Sequence, residues 1–145
     1  MPAYGALNSS IAAAEGQDNL RISARARGNN TGTFASYGAV DSQLDTGSGN
    51  DRVDIRAAAN NRRGYTAIGL DFSSIDTGSG DDYVDLNGDA QNRQIQTGDG
   101  LDTFTISGRH TNQVHIYPGA NDDVHKVDAA QASPMSPVTA PTNCS

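Results

Sequence analysis

A chain of 145 residues is long enough for one domain, but at 35% hydrophobic and 6% aromatic it is thinly supplied for a compact globule of that size. The net charge of −7 argues against a nucleic-acid partner, whose phosphates reward basic surfaces, and no window holds the run of about 18 apolar residues that a membrane helix needs. A single cysteine, Cys144, rules out an internal disulfide framework, and Met1-Pro-Ala-Tyr-Gly-Ala-Leu7 lacks the basic start and apolar run of a secretory signal.

In chain order, the first recognisable element is Ser9-Ser-Ile11, followed by Gly16, Asp18, Leu20 and Ile22. Its pattern becomes clear at Asp45-Thr-Gly-Ser-Gly-Asn-Asp-Arg-Val-Asp-Ile55, recurs as Asp76-Thr-Gly-Ser-Gly-Asp-Asp-Tyr-Val-Asp-Leu86, and loosens to Gln96-Thr-Gly-Asp-Gly-Leu-Asp-Thr-Phe-Thr-Ile106. Numbered from Thr46, Thr77 and Thr97, each copy is a Gly-rich acidic turn with Asp at position six. Apolar residues follow at positions eight and ten: Val53 and Ile55, Val84 and Leu86, Phe104 and Ile106. Leu44, Ile75 and Ile95 precede the Thr by two places, so both flanks have the period of a half-buried strand. A last copy, Tyr117-Pro-Gly-Ala-Asn-Asp-Asp-Val124, is ambiguous by one residue: the strand before it favours Asp123 as the repeat Asp, the strand after it Asp122.

The copies begin near residues 13, 46, 77, 97 and 117 or 118, in steps of 33, 31, 20 and 20 or 21. Self-similarity of this kind predicts stacked coils. The fold expected is all-β, a right-handed parallel β-solenoid of about five coils, with a degenerate first coil over 9–22 and regular coils over 44–127. At about 4.8 Å per coil the column would stand about 24 Å tall. The longer steps add Thr33–Val40 and Tyr65–Phe72, read as an extra strand or wider coil, with Ile68, Leu70 and Phe72 alternating cleanly. Far turns rich in Asn and Arg fall at 27–30, 60–64, 87–92 and 107–112, where their Asn and Gly tolerate left-handed backbone. The solenoid ends near residue 128, and 129–145 is a Pro/Ser/Thr-rich tail, disordered or packed against another molecule.

The segments TGSGNDRVD, TGSGDDYVD and TGDGLDTFT resemble the nonapeptide of RTX (hemolysin-type) calcium-binding repeats, G-G-x-G-x-D with a large apolar residue two places on. The resemblance covers about a third of the chain. It implies a β-roll holding Ca²⁺ between successive turns through backbone carbonyls and the position-six Asp. Carried over, the ligands would be Thr46, Ser48, Asn50 and Asp51; Thr77, Ser79, Asp81 and Asp82; Thr97, Asp99, Leu101 and Asp102; and Asp122 or Asp123. Asp18 is a weaker equivalent. Oxygen-rich turns suit Ca²⁺, which takes six to eight oxygen ligands. This chain departs from the family in having Thr for the first Gly and Gly-Asp turns on one side only.

The expectation is therefore a non-enzymatic, extracellular, calcium-binding structural protein, homo-oligomeric or polymerising into fibres or a surface layer, with a cell surface or polysaccharide as a further contact. An alternative is a non-assembling module of a larger secreted adhesin or enzyme. Two catalytic readings carry less. The paired Asp-Thr-Gly-Ser motifs at Asp45 and Asp76 match those of aspartic proteases, but they sit inside a repeat rather than in two lobes. A β-helical lyase would use Arg62, Arg63 or Arg93 as base. His110, His115 and His125 have no metal-ligand spacing.

Overall fold

The computed structural model describes residues 2–26, 34–59 and 65–132; the far turns at 27–30 and 60–64, Arg62, Arg63 and the tail from 133 lie outside them. Among the described residues there is no helix, and the strands wind into a parallel β-solenoid with three faces.

The first face stacks β1 (Ala3–Leu7), β4 (Phe34–Val40), β7 (Tyr65–Asp71), the start of β10 (Asp89–Gln96) and the later part of β11 (Thr103–Tyr117). The second stacks β2 (Ser10–Ala12), β5 (Gln43–Asp45), β8 (Ser74–Asp76) and the ends of β10 and β11. The third stacks β3 (Asn19–Ala26), β6 (Arg52–Ala59), β9 (Tyr83–Asn87), the first part of β11 and β12 (Val124–Ala132). The Gly-Asp turn always joins the second face to the third.

Alternation places the repeat's apolar positions inside. Leu44, Ile75 and Ile95 line the second face; Val53, Val84 and Phe104, and Ile55, Leu86 and Ile106, line the third, all fully buried. Each such side chain contributes about 1.5–3 kcal/mol relative to exposure. Small residues on the first face, Ala39 and Ala90 beside Leu70, keep this core narrow. A narrow core is why so modest an apolar content suffices.

The residues that lengthen the early steps form no added layer. They are β4 and β7, regular members of the first face, separated from β5 and β8 by a corner. In the shorter coils β10 and β11 run through both faces unbroken, and the long-to-short junction is absorbed by a register shift at Asp89/Ala90. The corners place Asn8, Asp41 and Phe72 in left-handed backbone, φ 46°, 47° and 48°. The alternation of Ile68, Leu70 and Phe72 stops at this corner: Ile68 and Leu70 are buried, whereas Phe72 is 62% exposed.

The next residue is a serine in all three corners. Ser9 N–H donates to Ser42 Oγ (3.3 Å) and Ser42 N–H to Ser73 Oγ (3.2 Å). Ser42 and Ser73 hydroxyls donate in turn to the carbonyls of Val40 and Asp71. These bonds satisfy backbone groups that a buried corner would otherwise strand.

Candidate functional site

The Gly-Asp turns stand in single file, bridged Glu15 to Ser48 to Ser79 to Asp99 to Ala120. Position two needs glycine: Gly47, Gly78 and Gly98 have φ near +90°, and a Cβ on Gly78 would collide with the Gly47 carbonyl oxygen. Thr at position one is fully buried. Thr46 Oγ1 donates to the Thr77 carbonyl (3.2 Å), Thr77 Oγ1 to the Thr97 carbonyl (2.9 Å) and Thr97 Oγ1 to the Pro118 carbonyl (3.0 Å). The departure from Gly at this position thus supplies a hydroxyl ladder.

Position six builds a second ladder. The N–H of Asp18 donates to Oδ1 of Asp51 (2.8 Å), that of Asp51 to Asp82 (2.8 Å), that of Asp82 to Asp102 (2.9 Å) and that of Asp102 to Asp123 (3.0 Å). These bonds span 33, 31, 20 and 21 residues, so the last turn starts at Pro118 and its repeat Asp is Asp123. Asp122 takes position five and is exposed. The apolar register that favoured Asp122 loses to the stacked turn: Val124 is 59% exposed, and half-buried His125 fills position eight, edge-on to Phe104 at 6.4 Å.

Position five carries a third, exposed ladder. Asn50 Oδ1 accepts the Asp81 N–H (3.0 Å), and Asp81 Oδ1 accepts the Leu101 N–H (2.9 Å).

The carbonyls expected to bind a cation already accept hydrogen bonds. Ser48, Ser79 and Asp99 carbonyls accept the N–H groups of Gly16, Gly49 and Gly80, at 2.7–2.8 Å. Each keeps a second lone pair. What the ladders leave open is the other carboxylate oxygen: Oδ2 of Asp51, Asp82 and Asp102 is buried and receives no hydrogen bond. The nearby Thr77 hydroxyl has one proton, committed to Thr97.

Burial pushes the Asp82 carboxyl up to about 6, with the Asp51 N–H offsetting part of the cost and the charges of Asp102 and Asp51 adding to it. Burial raises Asp102 likewise. A buried carboxylate oxygen without a donor needs a proton or a cation.

Among the described residues no three Asp, Glu, His or Cys side chains converge into one chelating cluster. A cation in the file would therefore draw on the Oδ2 atoms of two neighbouring rungs at most, about 4.8 Å apart, and on turn carbonyls for the rest of its shell. Orphaned carboxylate oxygens in an all-oxygen setting fit Ca²⁺ in kind.

The structure places the other candidates as follows. Asp45 and Asp76 are register partners on β5 and β8, outside the core, with Asp45 exposed. Arg93 lies on β10, and His110 and His115 at separate points along β11. The serine corner was missed as a ladder, although the match of Ser9-Ser-Ile11 to Ser73-Ser-Ile75 already carried the signal.

Comparison of the chain with family models, curated proteins and solved structures gives no match.

Proposed function

We propose that this solenoid is a non-enzymatic structural element of the extracellular space whose file of aspartates takes up Ca²⁺. The observation that carries the reading is the stack of three buried carboxylates, Asp51, Asp82 and Asp102, each with Oδ2 lacking any donor. At neutral pH their charges repel one another in a dry setting, and a divalent cation relieves both the repulsion and the missing contacts. The cation would be held by the Oδ2 atoms of neighbouring rungs, and the Ser48, Ser79, Asp99, Thr77 and Thr97 carbonyls of the same turns each keep a second lone pair to offer.

Calcium would bind the native stack and not the unfolded chain, so it would stabilise by mass action. Sites tuned to roughly 10⁻⁴–10⁻³ M serve extracellular modules, which is the basis for the proposed location. The test is thermal unfolding at pH 7.5 in calcium, magnesium and chelator. The reading expects the midpoint to rise with calcium concentration and to respond little to magnesium. A midpoint unchanged by calcium refutes it and leaves a ladder closed by protons alone.

A further inference from the structure

Basic side chains gather on one surface of this acidic column, and we infer that this surface binds an acidic polysaccharide through Arg21, Arg25 and Arg56. The inference takes its extracellular setting from the reading above and does not depend on calcium.

Among the side chains described, every arginine and lysine points outward from the third face: Arg21 and Arg25 on β3, Arg52 and Arg56 on β6, and Lys126 on β12, all exposed. The alternation that buries Ile22, Val53 and Ile55 fixes this orientation. By contrast, the exposed carboxylates Glu15, Asp81, Asp99 and Asp122 stand along the Gly-Asp corner, and Asp45 lies on the second face. A chain of net charge −7 thus presents a basic platform.

Arg52 is engaged within the molecule. Its Nε and Nη2 donate to both carboxylate oxygens of Asp54, at 3.2 and 3.3 Å, and its guanidinium lies 4.4 Å over the Tyr83 ring. That pairing occupies the acid that stands in register with Arg21. Arg25 stands opposite Ala58, and Arg56 between Ser23 and Asn87, so neither meets an acid at its own register on an adjoining strand. Asp85, the other carboxylate described on this face, is half-buried and helps to hold the Arg52 charge. Among the described residues Arg21, Arg25 and Arg56 form no ion pair.

At about 3.3 Å per residue and 4.8 Å per rung, the Cα atoms of Arg21 and Arg25 are about 13 Å apart, with Arg56 a rung below, midway and about 8 Å from each. The triangle stands on β3 and β6, whose eight successive residue pairs keep unbroken parallel register, so its spacing is set before any ligand arrives. Guanidinium groups pair with carboxylate or sulfate through two parallel hydrogen bonds. Exposed Ser23 and Asn87, beside Arg56, offer a hydroxyl and an amide to sugar hydroxyls.

Charges that merely guard an edge strand against pairing would account for Arg21 and Arg25 but not for Arg56, since β6 is paired on both sides. Duplex nucleic acid, with a charge about every 1.7 Å of axis, would be repelled by the carboxylates of the neighbouring corner. A polysaccharide whose charges are spaced by whole sugar rings can set them on the arginines alone.

The test is fluorescence anisotropy of labelled dextran sulfate, carboxymethyl dextran and neutral dextran titrated with the full chain. It is run in chelator, because calcium could itself bridge carboxylates. Binding of a charged dextran, weakening as salt rises, and none of neutral dextran are the results expected, and the charged dextran that binds tells sulfate from carboxylate. The triple variant Arg21→Gln, Arg25→Gln, Arg56→Gln should lose on the order of tenfold or more in affinity, yet melt no lower than wild type, because it removes only exposed, unpaired charge. Each single variant should weaken binding and flatten its salt dependence. Failure of wild type to bind either charged dextran, equal binding of neutral dextran, or full-strength binding by the triple variant overturns the inference. Duplex DNA bound as tightly as the charged dextrans overturns the choice of partner. Because calcium is absent throughout, dextran binding without a calcium effect on melting sinks calcium alone, and the converse sinks the polysaccharide alone.

Discussion

Replacing Asp82 by Asn exchanges a buried negative charge for a neutral amide of the same shape. Its Oδ1 still accepts the Asp51 N–H, and its new NH₂ group can donate to the Thr77 hydroxyl oxygen beside it. The native carboxyl titrates near 6, against 3.8 unperturbed, so the folded state holds its proton to higher pH than the unfolded chain does. In chelator this contributes no penalty below about pH 4; stability then falls as pH rises through the window from about 4 to about 6 and stays level above it. At 1.36 kcal/mol per unit, the loss at pH 7 is at most about 3 kcal/mol. Asp82→Asn removes the loss, minus whatever its amide leaves unsatisfied, a net gain of about 1–3 kcal/mol. For a chain of this length that is a rise of about 3–9 °C in the midpoint. In saturating calcium the order should reverse, because wild type gains about 2.7 kcal/mol at a hundred times the dissociation constant and the variant loses a ligand. Scanning calorimetry of both proteins from pH 4 to 8, with calcium and with chelator, is the assay. A wild-type midpoint in chelator that rises between pH 4 and 6, or a variant that is less stable than wild type in chelator at pH 7, would refute the reasoning.

Asp82→Ala, by contrast, strands the buried Asp51 N–H and also deletes a calcium ligand, so urea unfolding should show a larger loss in calcium than in chelator, and equal losses in both would count against the ligand role. Gly78→Ala forces a Cβ into the Gly47 carbonyl at φ +89° and should cost about 2 kcal/mol or more, by the same measurement, while Gly16→Ala, where a Cβ meets nothing, should cost less.

The repeat made most of the fold legible. Leu44, Ile75, Ile95 and the apolar pairs at positions eight and ten are buried where period two put them, because one residue's slip would turn the whole strand inside out. The alignment of Asp51, Asp82 and Asp102 followed from the same spacing. Periodicity could not reach the corners. Phe72 continues the alternation of Ile68 and Leu70 in sequence, but a left-handed corner starts there, like those at Asn8 and Asp41, and the serine hydrogen bonds beside these corners form only when coils meet. The choice between Asp122 and Asp123 was likewise undecidable locally, since one flank offered Val124 to the core and the other offered a turn in register. Hydrogen bonds from Asp102 to Asp123 and from Thr97 to Pro118 decide it, at the expense of an exposed Val124. Within the site, sequence named the aspartates but not the division of labour between their oxygens. That division depends on the preceding coil's N–H, which a single turn does not contain.

Crystals grown in calcium and measured at a long X-ray wavelength would locate the cation by its anomalous scattering. Peaks along the turn file, about 2.3–2.6 Å from Oδ2 of Asp51, Asp82 or Asp102, are the result expected. Ordered carboxylates in that file with no peak beside them, or calcium bound on other faces of the column, would contradict the account.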